Sequence, residues 1–215
     1  QTGQVILESE ILSHPELEKV FCLSTSFRDE KFPIEGRHNK IFPMIEWEEK
    51  GDVNTLINLE IELVSYLGFT DKPVFLKYKD MCEKYSVSTL EAKHETLMQN
   101  EYGNVIFLTN FVQESSPFFN MKKNEDGTYE KIDVLLMGME TIGSAERSTN
   151  TTEMREDFYS ISKGKYANKL FELFGKDRVE EELEQYLSLP MFSRVGAGLG
   201  VTRAIRALKL NKQSK

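Results

Sequence analysis

Long hydrophobic runs are missing from this chain. None approaches the about 18 apolar residues that a membrane-spanning helix needs, so no membrane partner is expected. Cysteine is scarce: Cys22 and Cys82 stand alone with no CxxC spacing. That favours a reduced, cytoplasmic setting, with both thiols acting as small buried hydrophobes. A basic excess is also lacking, with 27 Lys and Arg against 35 Asp and Glu and a net charge of −8. This balance speaks against a nonspecific nucleic-acid binder, although a local basic groove can sit on an acidic protein. The opening QTGQVILESE has neither a basic n-region nor an apolar h-region, so no signal peptide is expected. No internal repeat or low-complexity linker interrupts the 215 residues, a length that suits one domain with a substantial core.

What is present is a hairpin with two unlike faces. Val20–Glu30 and Lys40–Glu48 read as strands around a charged loop that carries Arg37 and His38. Side chains two apart in a strand share a face. Phe21, Leu23, Thr25 and Phe27 therefore fall on one side, and Cys22, Ser24, Ser26, Arg28 and Glu30 on the other. On the second strand Ile41, Ile45 and Trp47 oppose Phe42, Met44, Glu46 and Glu48. Small polar residues leading to Arg-x-Glu, beside an aromatic ring and two carboxylates, make a floor for a charged planar ligand. Pro43 cannot donate to a ladder, so the second strand should be an edge or bulged there.

Further along, Asp52–Leu67 carries a helical stripe with Asp52 as N-cap and Gly68 as its stop. Tyr78–Tyr85 and Thr89–Asn100 read as short helices, and Val105–Thr109 and Phe118–Lys122 as strands. Asn124–Thr128 carries the Asp-Gly turn signal, and Tyr129–Glu140 follows as one strand interrupted at Gly138. Thr152–Leu187 is helical in pieces broken at Gly164 and Gly175, and Val201–Leu210 forms a last helix. Strands grouped with helices between them, without βαβ alternation, predict an α+β fold with an antiparallel sheet flanked by helices. Asp133 and Glu140 are seven apart, so they share a face only if the register changes, which Gly138 would allow as a bulge. The spacing of Gly196, Gly198 and Gly200 is not that of a dinucleotide fold.

Three segments together resemble the class II aminoacyl-tRNA synthetase catalytic core, in its aspartyl/asparaginyl/lysyl subgroup. Phe27-Arg28-Asp29-Glu30, the Arg37-His38 loop, Phe42 and Glu46 are similar to motif 2. Asp133, Glu140 and Arg147 match an Asp-x6-Glu-x6-Arg signature, and Gly196 to Arg203 is similar to motif 3. The resemblance covers nearly the whole chain as a single catalytic domain, 1–215. It implies that ATP and Mg²⁺ activate an amino acid, aspartate or asparagine, as an aminoacyl-adenylate. Arg28 would bind the α-phosphate and the amino-acid carboxylate, and Glu30 would contact adenine. Arg37 and His38 would close over the outer phosphates, while Phe42 and Arg203 sandwich the adenine beside Gly200. Asp133 and Glu140 would hold Mg²⁺, and Glu46 and Arg147 would bind the substrate. For Arg147 the competing reading is a surface pair with Glu146 or Glu153; His14 and His94 read as ordinary surface or structural residues.

The chain departs from the pattern at Ile41, Thr202 and Glu146, where Glu, an acid and Gln are usual, and it has no lysine over Leu7–His14. Extra carboxylates at Glu10 and Glu146 would favour a substrate amino group. Motif 1, the dimer segment, has no counterpart in the first residues, and no tRNA-reading barrel precedes the core. These features tilt the acyl acceptor from tRNA toward ammonia, as in a stand-alone asparagine synthetase, with a noncatalytic paralogue as the rival; a homodimer follows if motif 1 is present natively.

Overall fold

The computed structural model describes residues 3–28, 33, 34, 38–115 and 117–213. In chain order the elements are α1 Gln4–Ser13, β1 Lys19–Phe27, β2 Ile41–Lys50, α2 Val53–Tyr66, β3 Val74–Lys77, α3 Tyr78–Tyr85, α4 Ala92–Tyr102 and β4 Val105–Phe111. There follow β5 Tyr129–Leu136, β6 Met139–Glu146, α5 Thr151–Ser160, α6 Lys165–Phe174, α7 Lys176–Leu187, β7 Arg194–Gly200 and α8 Val201–Gln213. The strands form one sheet in the order β1-β2-β7-β6-β5-β4-β3, antiparallel except for β3 and β4. The expected α+β architecture, an antiparallel sheet flanked by helices, is what the chain adopts. No helix among the described residues is long and apolar enough to cross a membrane.

Local chemistry explains where α2 begins. The Asp52 carboxylate accepts the backbone N–H groups of Asn54 and Thr55, each at 3.0 Å, and so satisfies two otherwise orphaned donors. Leu56, Glu60 and Val64 then recur every fourth residue and are buried against the sheet. Leu56, Phe107, Ile132, Val134, Ile142, Val195 and Ala204 form the main core between the sheet and α2 and α8. The opposite face is covered only in part. There α3 and α4 pack Tyr78, Met81 and Met98 on Ile106, Leu108 and Leu135, and α1 lies over β2 and β7. The floor over β7, β6 and β5 stays open between them. The helices α5 to α7 make their own cluster around Met154, Phe158, Val179 and Leu183.

Two expectations are corrected. The run Tyr129–Glu140 is not one strand: Met137 (φ 52°) and Gly138 (φ 69°) make a tight turn between β5 and β6. Positive φ at both central residues fits the twist of a two-residue hairpin, so Gly138 is the turn and not a bulge. Phe118–Lys122 is not a strand; it contributes only a bridge from Met121 to Arg147, with Met121 N–H turned back to Phe118 O at 3.1 Å. Gly196–Gly200 lies inside the fully buried β7. Pro43, by contrast, falls where expected. The pairing of β2 with β7 stops at Met44, leaving β2 an edge on that side at Pro43.

Candidate functional site

The site is a set of rows running straight across the sheet. Cys22 pairs with Glu46, Glu46 with Gly198, Gly198 with Gly143 and Gly143 with Asp133. The next row of paired residues is Glu48, Gly196, Ala145 and Lys131. Directly paired residues point to the same face, so Glu46 and Asp133 in one row, and Glu48 and Lys131 in the next, rise on either side of a floor of glycine and alanine. Bulk is excluded there. A Cβ at Gly196 would stand 1.8 Å from Glu48 Oε1 and 2.4 Å from Arg147 Nη2, and one at Gly198 2.8 Å from Met44 Cε.

Glu140 reaches this face through a bulge in β6. Val134 pairs with Ile142 but Leu135 pairs with Glu140, so Thr141 is the extra residue. That single slip turns Glu140 to the Asp133 side. The register change expected near Gly138 therefore exists, displaced to Thr141. A Cβ at Gly143 would lie 3.0 Å from Glu140 Oε1 and 3.7 Å from Asp133 Oδ1, so the two acids flank one point.

Two connected cavities occupy the floor. One, of about 190 Å³, is lined by Arg28, Phe42, Gly200, Thr202 and Arg203 among others. The second, of about 450 Å³, is lined by Gln4, Glu8, Glu46, Lys131, Asp133 and Arg147 among others. Met44, Glu140, Gly143 and Gly198 belong to both. In the first, the Arg28 guanidinium lies 5.4 Å from the centroid of the Phe42 ring. Arg203 donates through Nη1 to the Glu140 carbonyl at 2.8 Å and lies 3.3 Å from its carboxylate. His38 lines neither cavity; its backbone N–H bonds Ile34 O at 2.9 Å. Glu30 and Arg37 lie outside the described residues.

The second cavity holds buried charge. Glu46 accepts the Gly3 N–H at 2.8 Å and the Ser24 hydroxyl through Oε2. Its buried Oε1 has no hydrogen-bond partner among the described residues. Arg147 is buried and donates Nε and Nη2 to Glu48 Oε1 at 3.0 and 2.7 Å. That corrects the surface reading of Arg147. Glu146 instead accepts from Lys122 at 2.8 Å and from the Val53 N–H at the start of α2 at 3.0 Å. Glu10 is exposed beside His14. Neither extra carboxylate lines the two cavities, and Glu8 stands in the second one in their place. Glu8 accepts from Arg194 Nη2 at 2.5 Å, from the Tyr186 hydroxyl at 2.7 Å and from Asn120 Nδ2 at 2.6 Å. Burial raises the Glu48 carboxyl, with Arg147 opposing it. Burial likewise pushes Asp133 up to about 7, against the pull of Lys131 and with the repulsion of Glu140.

Sequence reasoning missed Glu8, Lys131 and Arg194. A signal existed for two of them: Gln4 and Glu8 share a face of α1, and Lys131 stands two before Asp133 on a strand. Arg194 meets Glu8 across 186 positions and left no local trace. As for metal, Asp133 and Glu140 offer hard oxygen donors of the kind Mg²⁺ takes. They fit the ion only with further ligands from phosphate or water, since no group of three or more His, Cys, Asp or Glu is placed to hold one among the described residues.

A family profile described as "tRNA synthetases class II (D, K and N)" matches residues 3–213. No curated protein matches the chain in sequence. Among solved structures it is similar to asparaginyl-tRNA synthetase from Pyrococcus horikoshii complexed with asparaginyl-adenylate, with TM-score 0.74 and 22% identity over 98% of this chain and 53% of that one. It is similar to aspartyl tRNA synthetase from Entamoeba histolytica at TM-score 0.74 and 18% identity, over 98% of this chain and 48% of that one. The asparaginyl-tRNA synthetase of Entamoeba histolytica, in complex with asparaginyl-adenylate, gives TM-score 0.74 and 22% identity over 97% and 53% of the two chains. The chain thus spans about half the length of these structures.

Proposed function

Because this chain belongs to the class II tRNA synthetases of the aspartate, lysine and asparagine group, we propose that it activates asparagine with ATP to give asparaginyl-adenylate and pyrophosphate. The observation that carries the choice of amino acid is charge balance. Both buried arginines beside the second cavity are already matched, Arg147 by Glu48 and Arg194 by Glu8. A second carboxylate on the substrate would enter a cavity whose cations among the described residues, Arg147 and Lys131, already face Glu48 and Asp133, and which has Glu8 and Glu46 in its wall. A buried charge without a partner is costly. An amide is neutral, and it offers an oxygen to Arg147 and an NH₂ to a glutamate. Glu46 Oε1 supplies the acceptor that the substrate α-ammonium needs.

In the proposed reaction an α-carboxylate oxygen attacks the α-phosphorus and pyrophosphate leaves in line. The chain positions the reactants and neutralises charge. Arg28 holds the α-phosphate and the amino-acid carboxylate, and Arg203 with Phe42 grips the adenine beside Gly200. Glu30, Arg37 and His38 are assigned to adenine and the outer phosphates by their places in motif 2. Asp133 and Glu140 would hold the Mg²⁺ that offsets phosphate charge. Ammonia as acceptor requires aspartyl-adenylate, which the charge balance disfavours, so a tRNA hydroxyl is the acceptor in this reading. A homodimer is part of the proposal, as is a cytoplasmic setting.

Amino-acid-dependent ATP–pyrophosphate exchange tests it. Exchange with asparagine, and at least about tenfold less with aspartate, is the expected outcome. Preference for aspartate would restore the ammonia route. Exchange with no amino acid, on folded protein that binds Mg-ATP, would leave the noncatalytic paralogue.

A further inference from the structure

This inference deepens the activation reading and rests on it. Lys131 stands on β5 two residues before Asp133, on the same face of the sheet. Its ammonium lies 2.5 Å from Asp133 Oδ1 and 3.5 Å from the centroid of the Phe111 ring. A carboxylate on one side and a ring face on the other hold the charge in place. The side chain lines the second cavity together with Asp133, Glu140 and Gly143. Asp133 Oδ1, the atom it touches, is also the one that faces Glu140 Oε1 across Gly143. A divalent cation between the two acids would compete with that ammonium for the Asp133 carboxylate.

Glu95, from α4, accepts the backbone N–H of Glu140 at 3.1 Å and its charge repels that of Asp133. Among the described residues, Lys131 pairs with Asp133 and Arg203 with Glu140. We propose that Lys131 is the resident cation of the Asp133/Glu140 pair. In the nucleotide-free protein it neutralises Asp133 and repels a divalent ion from the pair. Mg²⁺ gives up water reluctantly and demands near-octahedral oxygens, so a fixed ammonium on one of two protein donors weakens its hold.

Lys131→Met keeps much of the stem and removes the charge; Lys131→Arg keeps the charge. The measurement is Mn²⁺ binding to the intact chain without nucleotide, followed by electron paramagnetic resonance. Lys131→Met is expected to bind Mn²⁺ about tenfold or more tightly than the wild type, Lys131→Arg to stay with the wild type, and Asp133→Asn to abolish the gain in the double variant. A purely structural ion pair would not sort the variants by charge. Equal Mn²⁺ affinity in wild type and Lys131→Met, with melting temperatures matched, overturns the proposal; Lys131→Gln serves in the same comparison if the methionine variant does not fold. The nucleotide reading is judged apart, by calorimetry of Mg-ATP binding to the wild type. Its failure there would remove activation while the metal titration still decides whether Lys131 guards the acids.

Discussion

At the scale of single residues, the two cavities separate two kinds of contact. Arg28 and Phe42 belong to the first, Glu46 and Arg147 to the second, and Met44 and Gly198 to both. Substitutions should therefore divide by kinetic parameter. In the proposed reaction Arg28→Ala would remove a preorganised charge from the phosphate undergoing attack. The turnover of pyrophosphate exchange is expected to fall about a hundredfold or more, with the protein still folded; unchanged turnover would remove Arg28 from the mechanism. Glu46→Gln keeps an acceptor for Gly3 and Ser24 but would lose the charge proposed to face the substrate ammonium. A hydrogen bond to a charged group contributes about 1.5–3 kcal/mol, so KM for asparagine should rise about tenfold or more while Mg-ATP affinity stays constant. A calorimetric titration showing that ATP binding weakens in step would place Glu46 in the nucleotide subsite.

At the scale of elements, legibility in the sequence depends on whether the determinant is local. The period-two alternation of β1 and β2 is enough to sort Ser24, Ser26, Glu46 and Glu48 onto one face, because pleating acts residue by residue. Asp52 marks the start of α2 because a cap needs only its own next turn. The β5–β6 hairpin is hidden: its turn is Met137-Gly138 and lacks the usual Asn-Gly or Asp-Gly. The bulge at Thr141 has no sequence signature either, and on it depends whether Glu140 meets Asp133. The stripe of α2 conceals one further property. Glu60 sits on the buried face of α2 between Leu56 and Val64, and burial pushes its carboxyl up to about 8, an effect Ser144 offsets only in part. A carboxyl raised in the folded state binds its proton there at a pH where the unfolded chain has lost it. Its contribution is complete below about 4.5 and is lost as pH rises through about 8, with a limiting slope of about 1.4 kcal/mol per pH unit. Glu60→Gln carries no such titration. Urea unfolding at pH 5 and pH 8.5 should show the variant gaining on the wild type at the higher pH; parallel stabilities would mean that Glu60 ionises without cost.

At the scale of the whole molecule, the same alternation that turns one face of the β1–β2 hairpin to the two cavities turns the other outward. Phe21, Leu23 and Phe27 are 80%, 73% and 71% exposed, with Ile41 and Ile45 beside them. β1 is also one of the sheet's two edge strands, where unpaired backbone groups invite a neighbour. A contiguous apolar face of this kind marks an interaction surface, and a second copy of the chain is the occupant proposed. The placement has a mechanistic consequence. Cys22, Ser24 and Ser26 stand between the outward residues in sequence, so a partner that stiffens β1 also stiffens the strand holding Ser24 against Glu46 and Arg28 in the wall of the first cavity. Sedimentation velocity at micromolar concentration should show a dimer. Phe21→Ser combined with Leu23→Lys should shift it to monomer, raise KM for both substrates and leave the melting temperature of the core within a few degrees, because neither side chain belongs to a buried cluster. A wild type that sediments as a monomer at tens of micromolar, with exchange activity intact, would show that the outer face is not a self-association surface and that the site is rigid enough without one.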